Sequence, residues 1–251
     1  MDETILRAVE RAIDAMHANL DKQMTVDDMA RAAMFSKFHF SRTFQRATGV
    51  SPGRFLSAIR LEAAKGLLLS TSTAVAGIGH QVGYNSIGTF SSRFHSSVGV
   101  SPIEYRRLGG RVPRVPVADR PCPATMSSTV RGTLHYDTPA SSCAVFIGLF
   151  PGRIPEGAPA RYTVVHGPGP YLLPKVPMGI WHLAAQSIPA TEPGQDEQIC
   201  YVGGQGPIDT RSAETVSWLA DIQLRPRHNL DPPLLLALPD LRENALAPAA
   251  G

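Results

Sequence analysis

Cysteine is scarce: Cys122, Cys143 and Cys200 lie far apart, odd in number and without a Cys-x-x-Cys pair. That spacing argues against a disulfide framework or a zinc site and leaves three free thiols. Long apolar runs are also missing. No stretch approaches the roughly 18 residues needed to span a bilayer, and Met1-Asp2-Glu3-Thr4 has neither the basic nor the apolar segment of a leader. No membrane association is expected, and the location expected is the cytoplasm. His135, His166, His182 and His228 lack metal-ligand spacing, and the chain has no nucleophile elbow, phosphate loop or paired catalytic carboxylates. Neither a metal, nor another cofactor, nor an enzyme is expected. Charge is in short supply too, at +3 over 251 residues, too little alone to indicate a nucleic-acid partner.

Proline is missing from one half. Only 2 of the 22 prolines, Pro52 and Pro102, precede residue 111, so a helical region gives way to a non-helical one. The charge divides similarly: residues 1–110 hold 13 Lys+Arg against 9 Asp+Glu, a balance of +4, and residues 111–251 hold 11 against 12, a balance of −1. The expected architecture is multidomain, with an all-α tandem helix-turn-helix domain over 1–110, a linker over 111–127 and an all-β sandwich over 128–246. Residues 1–110 are expected to fold alone.

Helical periodicity fills the first part. Ile5, Val9, Ile13, Met16 and Leu20 form one apolar stripe. Thr25-Val26-Asp27-Asp28 reads as a cap with acidic residues in the first turn, Ser36 as a second cap, and Ser51-Pro52 as a third with proline at the first helical position. The helix that follows is expected to turn Phe55, Ile59, Ala63 and Leu67 inward.

A repeat carries the functional signal. Gly49-Val50-Ser51-Pro52 returns as Gly99-Val100-Ser101-Pro102, and the same offset of 50 relates Phe40 to Phe90, Phe44 to Phe94 and Phe55 to Tyr105. Upstream the offset is 49, so the second copy has one extra residue in its turn. Each copy reads as short helix, tight turn and longer helix, the unit that sets its second helix in the DNA major groove. In the first copy Lys37, Phe38, His39, Ser41, Arg42 and Gln45 lie off the apolar stripe. In the second, Ile87, Gly88, Thr89 and Ser92 occupy the equivalent face, with Arg93 beside it. Lys37 and Arg106 are candidate phosphate contacts, His39 a candidate for either DNA contact or packing. A joining helix from Pro52 to Leu69 spans about 27 Å at 1.5 Å per residue, against about 34 Å between adjacent major-groove faces. Two dissimilar reading helices on one chain favour an asymmetric site.

Residues 5–108 thereby resemble the DNA-binding domain of the AraC/XylS family. The matching residues are Met29-Ala30-x-Ala32-Ala33-x-Phe35-Ser36, His39-Phe40-Ser41-Arg42-x-Phe44 and Thr48-Gly49-Val50-Ser51-Pro52. Val82-Gly83-Tyr84-x-Ser86, Phe90-Ser91, Phe94 and Gly99-Val100-Ser101-Pro102-x-x-Tyr105-Arg106 complete the set. The resemblance implies a sequence-specific transcription regulator whose partner is double-stranded DNA, with RNA polymerase and an unidentified small-molecule effector as further partner classes, acting as monomer or homodimer. One departure stands out: where the family usually has arginine after the second Phe-Ser pair, this chain has Ser92, with arginine one step later at Arg93. The alternatives are an architectural DNA-bending protein without sequence preference and a DNA-repair enzyme carrying such a domain. The latter would need a reactive cysteine, and Cys122 sits between two prolines.

Beyond residue 128 the runs are β-rich: Thr129–Tyr136, Cys143–Phe150, Arg161–His166, Gly179–Ala185, Gln198–Val202 and Ser217–Leu224. Val130-Arg131-Gly132-Thr133-Leu134, Ala144 to Phe150 and Gly169-Pro170-Tyr171 to Leu183 resemble a transthyretin-type, carboxypeptidase-regulatory-like sandwich. Tyr171, Trp181, His182 and Tyr201 are candidates for lining an effector pocket there.

Overall fold

The computed structural model describes residues 2–118, 128–136, 143–188, 200–211 and 217–240; Cys122 and the stretch beyond residue 240 lie outside them. Among these residues the helices are α1 (Glu3–Ala18), α2 (Val26–Ala32), α3 (Lys37–Thr48), α4 (Pro52–Ser70), α5 (Val75–Gln81), α6 (Ile87–Val98) and α7 (Pro102–Arg107). The strands are β1 (Arg111–Val112), β2 (Ser128–Tyr136), β3 (Ala144–Phe150), β4 (Arg161–His166), β5 (Gly169–Val176), β6 (Ile180–Ile188), β7 (Tyr201–Asp209), β8 (Ser217–Leu219), β9 (Ile222–Pro226) and β10 (Leu238–Pro239). The chain forms two compact units. One joins Met1–Val112 to His228–Ala237; the other joins Pro113–Arg227 to Leu238–Gly251. Residues 228–237, expected within the β-rich stretch, thus group with the helices.

In the helical unit the apolar periodicity becomes a continuous core. Val9, Ile13 and Met16 of α1 are fully buried, and α1 packs on α2 and α3. The repeat is visible in the packing of its rings. Phe40, Phe44 and Phe55 form a chain with centroids 5.4 and 5.3 Å apart, and Phe90, Phe94 and Tyr105 form its counterpart at 5.7 and 5.6 Å. Offset edge contacts of this kind suit the quadrupoles of aromatic rings. The long α4 touches α1, α2 and α3 at one end and α5 and α7 at the other. Its buried residues are Pro52, Phe55, Leu56, Ala58, Ile59, Leu61, Ala64 and Leu68, while Ala63 and Leu67, expected inward, are only half-buried. A four-residue spacing drifts about 40° per step on a helix of 3.6 residues per turn, and the inward face moves on to Ala64 and Leu68.

The caps follow the chemistry of their residues. Thr25 and Asp28 form a reciprocal capping box on α2, Asp28 N–H donating to Thr25 Oγ1 (3.2 Å) and Thr25 N–H to Asp28 Oδ2 (2.8 Å). With the Thr25 and Arg31 donors on it, the Asp28 carboxyl is held down to about 2 from the ordinary 3.8. Gly49 and Gly99 close α3 and α6 in the left-handed region, φ 74° and 93°, where glycine has no Cβ to clash. Ser36 and Ser51 hold the extended backbone of an N-cap without a side-chain bond to the helix, unlike Ser101, which accepts from Glu104 N–H at 3.2 Å.

The β-rich unit is all-β, as expected, yet its pairing does not divide into the two sheets of a sandwich. One hydrogen-bonded path runs β4-β3-β6-β7-β9-β2-β5, with β8 also pairing β2, and the end strands β4 and β5 lie against each other, so the sheet nearly closes. Val145, Ile147, Leu149, Leu173, Trp181, Leu183 and Leu224 fill its core. Strand β5 holds Pro170 and Pro174, which obscure it as a strand in the sequence; it sits at the end of the path, where missing amide donors are tolerated. The run Ser217–Leu224 splits at Ala220–Asp221, where Ala220 N–H donates to Arg131 O (2.9 Å) and Asp221 Oδ1 accepts from Thr133 N–H (2.8 Å).

Candidate nucleic-acid interface

Each module consists of a seven-residue helix, a tight turn and a twelve-residue helix: α2 then α3, and α5 then α6. The turns match bond for bond. In the first, Met34 N–H donates to Arg31 O (3.0 Å) and Phe35 N–H to Ala30 O (2.9 Å). In the second, Gly83 N–H donates to His80 O (2.9 Å) and Tyr84 N–H to Gly79 O (2.9 Å). Both turns need one left-handed residue, Met34 at φ 58° and Gly83 at φ 82°. The extra residue of the second copy, Asn85, falls after this turn and before the Ser86 cap, whose Oγ accepts from Thr89 N–H at 3.4 Å.

With Phe40 and Phe44 at 0% exposure, the opposite face of α3 is turned to solvent. Lys37, Phe38, His39, Arg42 and Gln45 are exposed and Ser41 is half-buried. Phe38 is 87% exposed, and Met34, at the turn before it, 75%. Among the described residues no carboxylate pairs with Arg42. Lys37 Nζ lies 2.8 Å from Asp27 Oδ2, a pair with both side chains about half exposed. Such a pair contributes little in water, within about 1 kcal/mol, so the ammonium can exchange Asp27 for a phosphate. The His39 ring meets Phe35 edge-on at 4.6 Å, a packing contact, while the residue stays exposed.

On α6 the same face is short of polar reach. Ile87, Gly88, Thr89 and Ser92 are exposed and Arg93 is half-buried. Arg106 has a different setting from the phosphate contact expected of it. Its guanidinium donates to Leu68 O (Nε, 3.0 Å) and Thr73 O (Nη2, 2.7 Å), pinning the chain between α4 and α5. Carbonyls at a helix end such as Leu68 O lack intrahelical donors, and the half-buried Arg106 guanidinium supplies one. Arg60 does the same for the loop between α1 and α2, donating to Leu20 O (3.1 Å) and Lys22 O (2.6 Å). Sequence reasoning passed over Arg60, whose carbonyl partners lie some forty residues upstream and give no local signal. It also passed over Arg46, exposed one turn beyond Arg42 on α3.

The four candidates for an effector pocket are dispersed in role. Trp181 is buried in the core, its Nε1–H donating to Pro177 O (2.9 Å) and Thr210 Oγ1 (3.1 Å). Tyr171 is buried too, with its hydroxyl donating to Ala220 O, and its outer edge borders an open groove of about 470 Å³ with Arg131, Thr133, Leu172 and Leu219. His182 is half-buried, and burial together with the nearby Arg153 charge lowers its pKa below 6.5. Tyr201 is half-buried and meets Tyr136 edge-on at 6.0 Å. Both described cysteines, Cys143 and Cys200, are free thiols. No helix among the described residues is long and apolar enough to cross a membrane, and no group of three or more candidate metal ligands occurs among them.

A family model described as a helix-turn-helix domain matches residues 29–108, the stretch that holds both modules. The lactose operon transcription activator of Staphylococcus xylosus is 35% identical over 98 residues, 39% of this chain and 35% of that one. A helix-turn-helix-type transcriptional regulator of Haemophilus influenzae is 38% identical over 82 residues, 33% of this chain and 28% of that one. This chain therefore matches about a third of the length of these curated relatives. Among solved structures, an AraC-type transcriptional regulator from Chromobacterium violaceum aligns at 28% identity and TM-score 0.40, over 41% of this chain and 91% of that one.

Proposed function

We propose that the protein is a transcription regulator that reads double-stranded DNA sequence through α3 and α6, set into neighbouring major grooves. The observation that carries this reading is the exposed Arg42, with no ion-pair partner among the described residues, on a helix whose opposite face is locked by Phe40 and Phe44. Arginine in the groove recognises guanine bidentately, and Lys37 and Arg46 flank it within reach of the backbone phosphates. Base discrimination falls mainly to α3, while α6, with Ile87, Thr89 and Ser92, contributes thymine-methyl packing and phosphate bonds. The β-rich unit is assigned to regulation, by binding a small molecule or a second copy of the chain.

The architectural alternative is disfavoured because the two outward faces differ so much in chemistry. Enrichment of duplexes from a random-sequence pool by the full chain, followed by competition against random DNA, decides between the two. A specificity ratio of about 10³ or more is expected for a sequence reader; a ratio near one would overturn the proposal. Sedimentation with and without cell metabolites tests the role of the β-rich unit, which is rejected if neither mass nor stability responds.

A further inference from the structure

The helical unit is not built from the first 112 residues alone. The chain comes back to it at His228 and stays through Ala237, after β9 has ended at Pro226. Within this return Leu235, Leu236 and Ala237 are fully buried and Leu234 is 7% exposed. Polar contacts hold it at both ends and in the middle. His228 Nε2 lies 3.4 Å from Glu10 Oε1 on α1. Lys65 Nζ on α4 donates to Leu234 O at 3.1 Å, while also resting 5.9 Å over the Tyr105 ring of α7. Ala237 N–H donates to Val98 O at 3.0 Å. Val98 is the last residue of α6, so this bond supplies a donor to a carbonyl that the helix itself leaves without one.

We propose that residues 228–237 form a strap that positions the two reading helices relative to each other, and that Leu234–Ala237 are positioning residues for DNA recognition. The inference rests on the DNA-reading proposal above. The strap contacts α1, which packs on the first module, and ends on α6, the reading helix of the second, passing α4 on the way. Two modules on one strut gain affinity from joint engagement only where their separation and rotation match the site. With His228 on α1, Leu234 O on α4 and Ala237 N–H on the end of α6, the strap narrows that range. The strap itself touches DNA at no point of this argument; it acts through the helices it holds.

Spacing selectivity tests it in the full chain. Duplexes enriched from a random pool by the wild-type chain are remade with one or two base pairs inserted or deleted between the two contacted segments, and with one segment scrambled. Wild type is expected to lose at least about tenfold in affinity on the respaced duplexes. Leu235→Asp, which cannot stay buried beside Leu236, should bind the original duplex about tenfold more weakly yet respond little to respacing. Its affinity for the scrambled, single-segment duplex should stay at the wild-type level. A merely destabilised protein would instead lose on all duplexes alike while keeping its spacing preference, and that result overturns the strap. If Leu235→Asp loses its helical circular dichroism, Leu235→Ala, which only loosens the seat, is read in the same way. Retention of the wild-type spacing preference by a folded Leu235→Ala chain overturns the strap while leaving the DNA reading intact. A wild-type chain that ignores spacing sinks the two-helix DNA reading and the strap's role with it.

Discussion

Fifty residues apart, Arg42 and Ser92 occupy the same step of α3 and α6, and around them the two modules have diverged on a shared frame. The first is capped by the Thr25–Asp28 box, whereas the positions matching these are Ala74, an N-cap with no side-chain bond, and Gly77. The first places Met34 in a left-handed turn where the second has Gly83. Its outer face carries Lys37, Phe38 and Arg42 where the second offers Ile87, Gly88 and Ser92. What has been kept is the ring ladder beneath: Phe40–Phe44–Phe55 and Phe90–Phe94–Tyr105. The core fixes the module, and the surface is free to specialise.

The largest effect expected tests the conserved ladder. Phe44→Ala and Phe94→Ala should each destabilise the helical unit by about 3–5 kcal/mol in chemical denaturation; a marked inequality between them would show that the modules do not share their core equally. Arg42→Ala should weaken binding to an enriched duplex by about 1–3 kcal/mol and relax one base position, while Ser92→Ala should change it by less than about 0.5 kcal/mol. Equal losses would remove the division of labour between α3 and α6. The turns give a smaller and opposite-signed pair. Gly83→Ala should destabilise by more than about 1 kcal/mol, because a Cβ there meets Leu20 O and the Arg60 guanidinium. Met34→Gly should stabilise by about 0.5 kcal/mol, relief of the left-handed strain outweighing the added freedom of the unfolded chain.

The smallest effect concerns protons. The Asp28 pKa is lower in the folded state, about 2 against 3.8, so its contribution is fully present above 3.8 and is lost as pH falls through the interval toward 2. Acid titration should therefore loosen α2 over that window, seen as faster amide exchange, and Asp28→Ala should abolish the dependence. Helix α5, without the box and with Gly77 and Gly79 in it, should exchange faster than α2 already at neutral pH.

Much of this was legible in the sequence because the signals are local or periodic. The repeat gave the helix pairs, Gly49 and Gly99 their ends, and the ring offsets the core. The extra residue of the second copy, Asn85, was visible as a shift in offset from 50 to 49. Other features depend on partners far away in the chain. Arg106 reads as an exposed cation in a DNA-binding motif until its guanidinium is seen on Leu68 O and Thr73 O. Trp181 reads as a pocket aromatic until its indole N–H is found satisfied inside the sheet. Strand β5 was hidden by Pro170 and Pro174, since proline is a strand breaker everywhere except at an edge. Pro232-Pro233-Leu234-Leu235-Leu236 has no period of either kind, and its seat lies more than a hundred residues upstream.

That return of the chain has a consequence for biosynthesis. The ribosome releases α3 and α6 before residue 110, yet the unit that carries them is completed only when Ala237 emerges. A premature stop between Val112 and His228 would spare α3 and α6 and still leave their unit without its last ten residues, 228–237.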